Sequence, residues 1–94
     1  MSDPAGVRDN PSASRYEMEA DGGVAIAAYR RDGDVLTFTH TEVPAELEGR
    51  GIATRLIRGA LEDVRTQGAR IVAQCPFVAA YVERHPEVGD LVAD

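Results

Sequence analysis

Between Val35 and Gln67 the spacing of apolar side chains changes from strict alternation to steps of four, and the change falls across the turn "PAELEGRG". No other feature constrains the fold as strongly. An alternating run has to lie in a sheet, and a run stepping by four has to lay one side against it. In "VLTFTHTEV", Leu36, Phe38, His40 and Glu42 fall on one face, and Val35, Thr37, Thr39, Thr41 and Val43 on the other. β-Branched threonines suit a pleated strand, and Pro44, which has no N–H to give a ladder, ends it. From Arg50 to Gln67, Ile52, Leu56, Ala60 and Val64 line one helical face with Ala53, Ile57 and Leu61 beside them. Arg55, Arg58, Glu62 and Arg65 lie largely opposite, and Arg58 and Glu62 form an i,i+4 pair. Gly68 is a natural helix stop, and "RIVAQC" (Arg70 to Cys75) then reads as a short buried strand. A strand, helix and strand in this order should make a right-handed crossover between parallel strands.

The remaining segments supply antiparallel strands and a second helix. "MSDPAGVRDNPSAS" is polar and proline-bearing, so residues 1–14 read as a disordered tail and 15–94 as the domain. "RYEME" (Arg15 to Glu19) reads as an edge strand, "DGG" as a turn and "VAIAAYR" from Val24 as a buried strand. The Asp-Gly pair of "RDGD" signals a tight hairpin. "PFVAAYVERH" reads as a helix with proline at its first position and Phe77, Ala80, Tyr81 and Arg84 on its inner side. Pro86 ends it, and "GDLVAD" offers one more short strand. The expected fold class is α/β (α+β): a mixed sheet, antiparallel at its start, with one β-α-β crossover and two helices.

Composition narrows the function classes. Ninety-four residues allow one small domain. No apolar run approaches the ~18 residues of a membrane span, and no signal segment opens the chain. Cys75 is the only cysteine, which excludes an intrachain disulfide and a cysteine zinc cluster and agrees with a reducing cytoplasm. His40 and His85 lie far apart without ligand spacing, so no metal is expected. A net charge of −6 argues against a general nucleic-acid binder. All ten basic residues are arginine, so a catalytic or P-loop lysine is excluded outright.

The turn itself carries the chemistry. Gly49 and Gly51 stand where glycine would weaken a helix by about 1 kcal/mol each. Glycines at a helix N-terminus let backbone N–H groups reach an anion, and the helix dipole favours negative charge there. Arg50 and Arg55 are placed to supplement them. A P-loop fails for want of Gly-Lys-Ser/Thr, and a dinucleotide fingerprint fails because Thr54 stands at the third glycine. A pyrophosphate turn of the pattern Arg/Gln-x-x-Gly-x-Gly/Ala matches at Gly51 and Ala53. A glycine-rich helix start with no ligand is the competing reading.

With "HTEVP" before this turn, "GRGIA" within it, and "CPFVAAYVERHPE" and "DLV" after it, the chain from Tyr16 to Val92 resembles the small single-domain GNAT-like N-acetyltransferases. The resemblance implies a reduced GNAT fold that binds coenzyme A or acetyl-CoA where two parallel strands splay apart. By position, Gly49, Arg50, Gly51, Ile52, Ala53 and Thr54 would form the pyrophosphate turn, with N–H groups of Arg50 to Ala53 on the phosphates. Glu42 and Val43 would pair through their main chain with the pantetheine arm, and Cys75 and Tyr81 would lie near the thioester. The family usually has Arg or Gln where this chain has Glu48, and it lacks the N-terminal helices with which larger members shape an acceptor pocket.

Four residues are candidates for catalysis. Cys75 precedes a helix, whose N-terminus favours a thiolate and thus a transient acetyl-cysteine; a small buried hydrophobe is the alternative. Tyr81 resembles the tyrosine that returns a proton to the departing thiolate. His40 and Glu42 could take a proton from an ammonium acceptor; a solvated Glu42 and a hydrogen-bonded packing His40 are the alternative. The expected function is acetyl-CoA-dependent transfer of an acetyl group to an amine, and the acidic balance favours a cationic acceptor. A non-catalytic CoA or acyl-CoA-binding module and a small interaction domain are the alternatives. No nucleic-acid or membrane partner is expected, and the chain should be a monomer or weak dimer.

Overall fold

Gly33 takes a φ of +64°, which closes a two-residue loop and folds "RDGD" as a tight hairpin. The hairpin belongs to a five-stranded sheet in a computed structural model that describes residues 6–20 and 22–93. In chain order the elements are β1 (Val7–Asn10), β2 (Arg15–Ala20), β3 (Gly23–Asp32), β4 (Val35–Glu42), α1 (Ile52–Gln67), β5 (Arg70–Ala73) and α2 (Pro76–Arg84). The sheet order is β1-β2-β3-β4-β5. The first three pairings are antiparallel, and β4 runs parallel to β5. No helix among the described residues is long and apolar enough to cross a membrane.

The core forms where one face of the sheet meets α1. Tyr16, Leu36, Phe38 and Ile71 from the strands and Leu56, Ile57, Ala60 and Val64 from the helix are fully buried there. Tyr16, Tyr29 and Phe38 form a triangle of rings with centroids 5.6 to 6.1 Å apart. At its rim Tyr16 donates its hydroxyl to Asp63 of α1 at 2.6 Å, and Tyr29 donates to Asp9 at 2.6 Å. Burial raises the Asp9 carboxyl above its usual range, against the Tyr29 hydrogen bond and with Asp63 adding repulsion.

Several sequence expectations need correction, among them the edge position of "RYEME", which is interior as β2. Part of the expected tail is the edge strand β1, paired with β2 from Val7↔Met18 to Asn10↔Arg15. Its polarity hid its alternation: Val7 enters the core, Asp9 receives Tyr29, and Asn10 donates to Glu17 at 3.0 Å. Residues 1–5, Asp21 of the "DGG" turn and Asp94 lie outside the described residues. Second, the helical period that runs from Arg50 becomes helix only from Ile52, with Gly51, left-handed at φ 72°, as its N-cap. Third, α2 buries Val78 and Tyr81 and leaves Phe77 exposed, so its inner side is turned from the one expected. Last, "GDLVAD" does not form a strand. Pro86–Leu91 is a 3-10 turn, followed by a single parallel bridge, Ile71↔Val92.

A bulge re-aims the C-terminal half of β4. Tyr29 pairs with Phe38 and Ala28 with His40, so Thr39 is an extra residue without a partner. Beyond it the alternation slips by one, and Thr41 opposite Ala27 takes the core-facing side. His40 and Glu42 are therefore carried to the opposite, uncovered face, not kept beside Leu36 and Phe38.

Candidate functional site

β4 outlasts its parallel partner. The pairing stops at Phe38↔Ala73, and the N–H groups of Gln74 and Cys75 both turn back to the Phe38 carbonyl at 3.1 and 2.8 Å. That pair of hydrogen bonds pivots the chain into α2, while Thr39 to Glu42 run on with β3 alone beside them. The two strands splay, as the resemblance implied.

At the far end of β4 the glycine turn is built on Leu47, which buries its side chain from the 3-10 turn Ala45–Leu47. Gly49 and Gly51 follow at φ +83° and +72°. A Cβ at either would meet nothing within 4 Å, so conformation rather than crowding calls for glycine and the space above is open. The Arg55 N–H is the first to bond within α1, to the Gly51 carbonyl at 3.1 Å. The amides of Ile52, Ala53 and Thr54 precede it, no side chain caps them, and no acidic residue lies in the first turn. Arg50 and Arg55 are exposed beside them.

A cavity of about 200 Å³ opens here, bordered by Val43, Gly49, Gly51, Ile52, Ala53 and Thr54 together with Leu47, Glu48 and Phe77. The residues expected at the turn, Arg50 excepted, thus border one cavity at the end of β4. Phe77 was missed as a site residue. Its position beside Pro76 in the first turn of α2 was legible, but its exposure was not.

The catalytic candidates divide between two sides. Cys75 is the N-cap of α2, 4% exposed, with its Sγ 3.3 Å from the Thr41 hydroxyl. Thr41 was not foreseen there, because the bulge that turns it inward leaves no signal in the alternation. His40 and Glu42 join each other on the uncovered face, Nε2 to Oε2 at 2.6 Å, and both are more than half exposed. Tyr81 is buried and stacks on His85 with centroids 3.9 Å apart at 15°, while His85 Nδ1–H donates to the Tyr81 carbonyl at 2.9 Å. The phenol is raised above its ordinary value by burial, with Arg58 opposing and Glu87 and Glu62 reinforcing. Tyr81 borders a groove of about 600 Å³ with Thr54, Arg58 and His85, and Thr54 also borders the glycine-turn cavity. Among the described residues no three His, Cys, Asp or Glu side chains converge as a metal site.

This geometry has counterparts among known proteins. A GCN5-like protein of Staphylococcus aureus, solved in solution by NMR, superposes with a TM-score of 0.71 over 99% of this chain and 91% of its own, at 24% identity. That likeness is one of fold. Protein NATD1 of chicken and of mouse is 35% identical over 63 residues, 66% of this chain and 57% of theirs. The human protein matches to the same degree over 56% of its length. The chain thus spans less than three-fifths of these relatives. The family described as GCN5-related N-acetyl-transferase matches residues 15–91, which takes in every strand but β1, both helices and the glycine turn: the chain belongs to the GCN5-related N-acetyltransferase family.

Proposed function

We propose that this chain is an acetyl-CoA-dependent N-acetyltransferase that moves an acetyl group to an amine acceptor. One observation carries the reading: the uncapped amides of Ile52 to Thr54, under two left-handed glycines with open space above them, stand at the end of a strand whose parallel partner has turned away. A pyrophosphate suits the first feature, and an extended arm with amide groups suits the second. These residues fit acetyl-CoA, which supplies an acetyl group activated as a thioester.

The protein's part is mostly positioning. Gly49 to Thr54 bind the diphosphate, and the main chain of Glu42 and Val43 aligns the arm in the splay. An acceptor reaches the splay from the uncovered face, since α1 covers the other. On that face the His40–Glu42 pair takes the proton that an ammonium must lose before its nitrogen can attack. Tyr81, buried at the edge of the groove that Thr54 also borders, gives the leaving sulfur its proton and recovers one from solvent. Burial of Cys75 behind Thr41 favours direct transfer over an acetyl-cysteine.

A second reading, a CoA-binding module without transfer, draws support from the division of the candidates between the two faces. An amide-resonance titration with acetyl-CoA tests what the readings share: signals of Gly49 to Thr54 are expected to move at submillimolar ligand, and unmoved signals at millimolar ligand overturn both. Release of free thiol with an amine present then separates enzyme from module.

A further inference from the structure

The three phenols of this chain are held in two different ways. Tyr16 and Tyr29 each donate to a carboxylate, Asp63 and Asp9, at 2.6 Å, so both hydroxyls are occupied by the fold. Tyr81 is buried as deeply as Tyr29, at 6% exposure, yet its hydroxyl has no hydrogen-bond partner among the described residues. No fully buried polar side-chain atom among those residues goes without a partner, so the Tyr81 oxygen must reach the surface of a cavity. Two cavities border it: the groove of about 600 Å³ toward Arg58, and a smaller one of about 90 Å³ shared with Thr54, Phe77 and His85. Thr54 and Phe77 also border the glycine-turn cavity, so the open phenol adjoins that end of the site.

A phenol with no anchor at its hydroxyl has to be held by its ring, and His85 is placed to hold it. The imidazole stacks on the phenol with centroids 3.9 Å apart at 15°. Its own position is fixed several times over. Nδ1–H donates to the Tyr81 carbonyl at 2.9 Å, the His85 N–H reaches the Val82 carbonyl at 3.2 Å, and the His85 carbonyl receives the Val88 N–H at 3.0 Å. Pro86 then restricts the His85 backbone. The backbone bonds alone would end α2, and an amide side chain could supply the bond to Tyr81; only a flat ring supplies the stack. We infer that His85 is a positioning residue for the proposed transfer, clamping the Tyr81 ring by stacking so that its hydroxyl stays open to the cavities it borders. The inference rests on the acetyltransferase reading above and adds how its proton donor is held. As the amine nitrogen bonds the acetyl carbon and the C–S bond breaks, the electron pair leaves on sulfur and the proton lost by the amine goes to the His40–Glu42 pair. Tyr81 gives the sulfur its proton, and the phenolate takes one back from water. His85 exchanges no proton in this sequence. It keeps the donor from turning to Glu62 or Glu87 on the groove wall, which would occupy the hydroxyl as Asp63 occupies that of Tyr16.

The test uses the full chain with isotope-labelled tyrosine rings and backbone amides, titrated with coenzyme A and with desulfo-coenzyme A, which lacks the sulfur. Both ligands are expected to move the Gly51 to Ala53 amides, and only coenzyme A to move the Tyr81 ring signals as well. His85→Gln keeps a donor for the Tyr81 carbonyl and removes the stack; it is expected to lose the sulfur-dependent shift of Tyr81 with coenzyme A affinity unchanged. His85→Phe keeps a flat ring and removes the donor, and it is expected to retain that shift. Unmoved Tyr16 and Tyr29 signals show that each variant is folded. Any other pattern in the two variants overturns the inference, and a shift retained in both leaves His85 as the end of α2 only. The parent separates the two levels. If its Gly51 to Ala53 amides respond while Tyr81 does not distinguish the two ligands, the role of His85 falls alone; if coenzyme A moves nothing, the reading beneath it falls.

Discussion

The two ends of α1 are finished in opposite ways. At the C-terminal end Gly68 is left-handed, its N–H reaches the Arg65 carbonyl at 3.0 Å, and the Ala69 N–H reaches Val64 at 3.0 Å, so two of the last four carbonyls are satisfied by the chain itself. Asp63 receives Tyr16 at 2.6 Å and Gln67 at 2.7 Å, and Arg65 grips Asp90 through two bonds of 2.8 and 3.0 Å. At the N-terminal end Gly51 is left-handed and carries no side chain, so it supplies no cap. The chain completes one end and leaves incomplete the end at which the proposed function places an anion. If that contrast is functional, damage at one end should appear in stability and damage at the other in binding.

The largest expected effect is at the completed end. Tyr16→Phe removes a hydroxyl bonded to a carboxylate, and such bonds are worth about 1.5–3 kcal/mol in unfolding experiments. The variant also has a pH signature. Burial, then the Asp63 bond and charge, push the Tyr16 phenol far above its ordinary value, and burial and Asp9 push Tyr29 the same way. Below about pH 10 both phenols are neutral in the folded and the unfolded chain; above it the unfolded chain ionises first, so the native protein loses stability as pH rises. Denaturant midpoints from pH 8 to 12 should fall more shallowly in Tyr16→Phe, from a lower start. Its acetyl-CoA shifts should match the parent's, and their loss would mean that the two ends are coupled.

Next come the paired glycines. Ala at Gly51 must hold a positive φ at a cost of about 1–2 kcal/mol, and its Cβ projects into the open space above the turn. Acetyl-CoA affinity is expected to fall about tenfold or more, which calorimetry would read as at least about 1.4 kcal/mol. Ala at Gly68, with φ +74° and equally open surroundings, meets the same backbone strain. It should lower stability by about 1 kcal/mol and leave affinity as it was. Equal affinity losses in the two variants would show that strain, not the ligand, explains Gly51.

How far the chain could be read from sequence follows from which forces are local. α1 was legible because Ile52, Leu56, Ala60 and Val64 repeat at its own period, and α2 because Pro76 marks its start. The glycine turn was legible as a candidate anion site because Gly49 and Gly51 stand where a helix tolerates them poorly. β1 was not, because what holds Asp9 and Asn10 are side chains distant in sequence, Tyr29 and Glu17. The bulge at Thr39 was invisible for a similar reason: it is a mismatch between β3 and β4, not a property of either strand. That one residue decided which face His40, Thr41 and Glu42 present. The candidates were therefore identified by type while their grouping was not.

The smallest expected effect tests whether the completed end also organises the Tyr81 groove. Arg65 binds Asp90 and the Glu87 carbonyl at 3.0 Å, and so ties the segment Pro86–Leu91 to α1 beside that groove. The pair is exposed, and exposed pairs contribute little. Arg65→Ala should move the thermal midpoint only slightly, and the difference from the parent should vanish in about 1 M salt. The Arg65 hydrogen bond holds the Asp90 carboxyl below its ordinary value. Its contribution is therefore present at neutral pH and fades as the solution is acidified through the carboxylate range. Hydrogen exchange at Val88 to Leu91 is the sensitive readout: faster exchange in the variant at pH 7, with the parent approaching it in acid, assigns the tether to this pair. Unchanged exchange would assign it instead to the buried Leu91 side chain, and the contrast between the two ends of α1 would then rest on Tyr16, Asp63 and Gly68 alone.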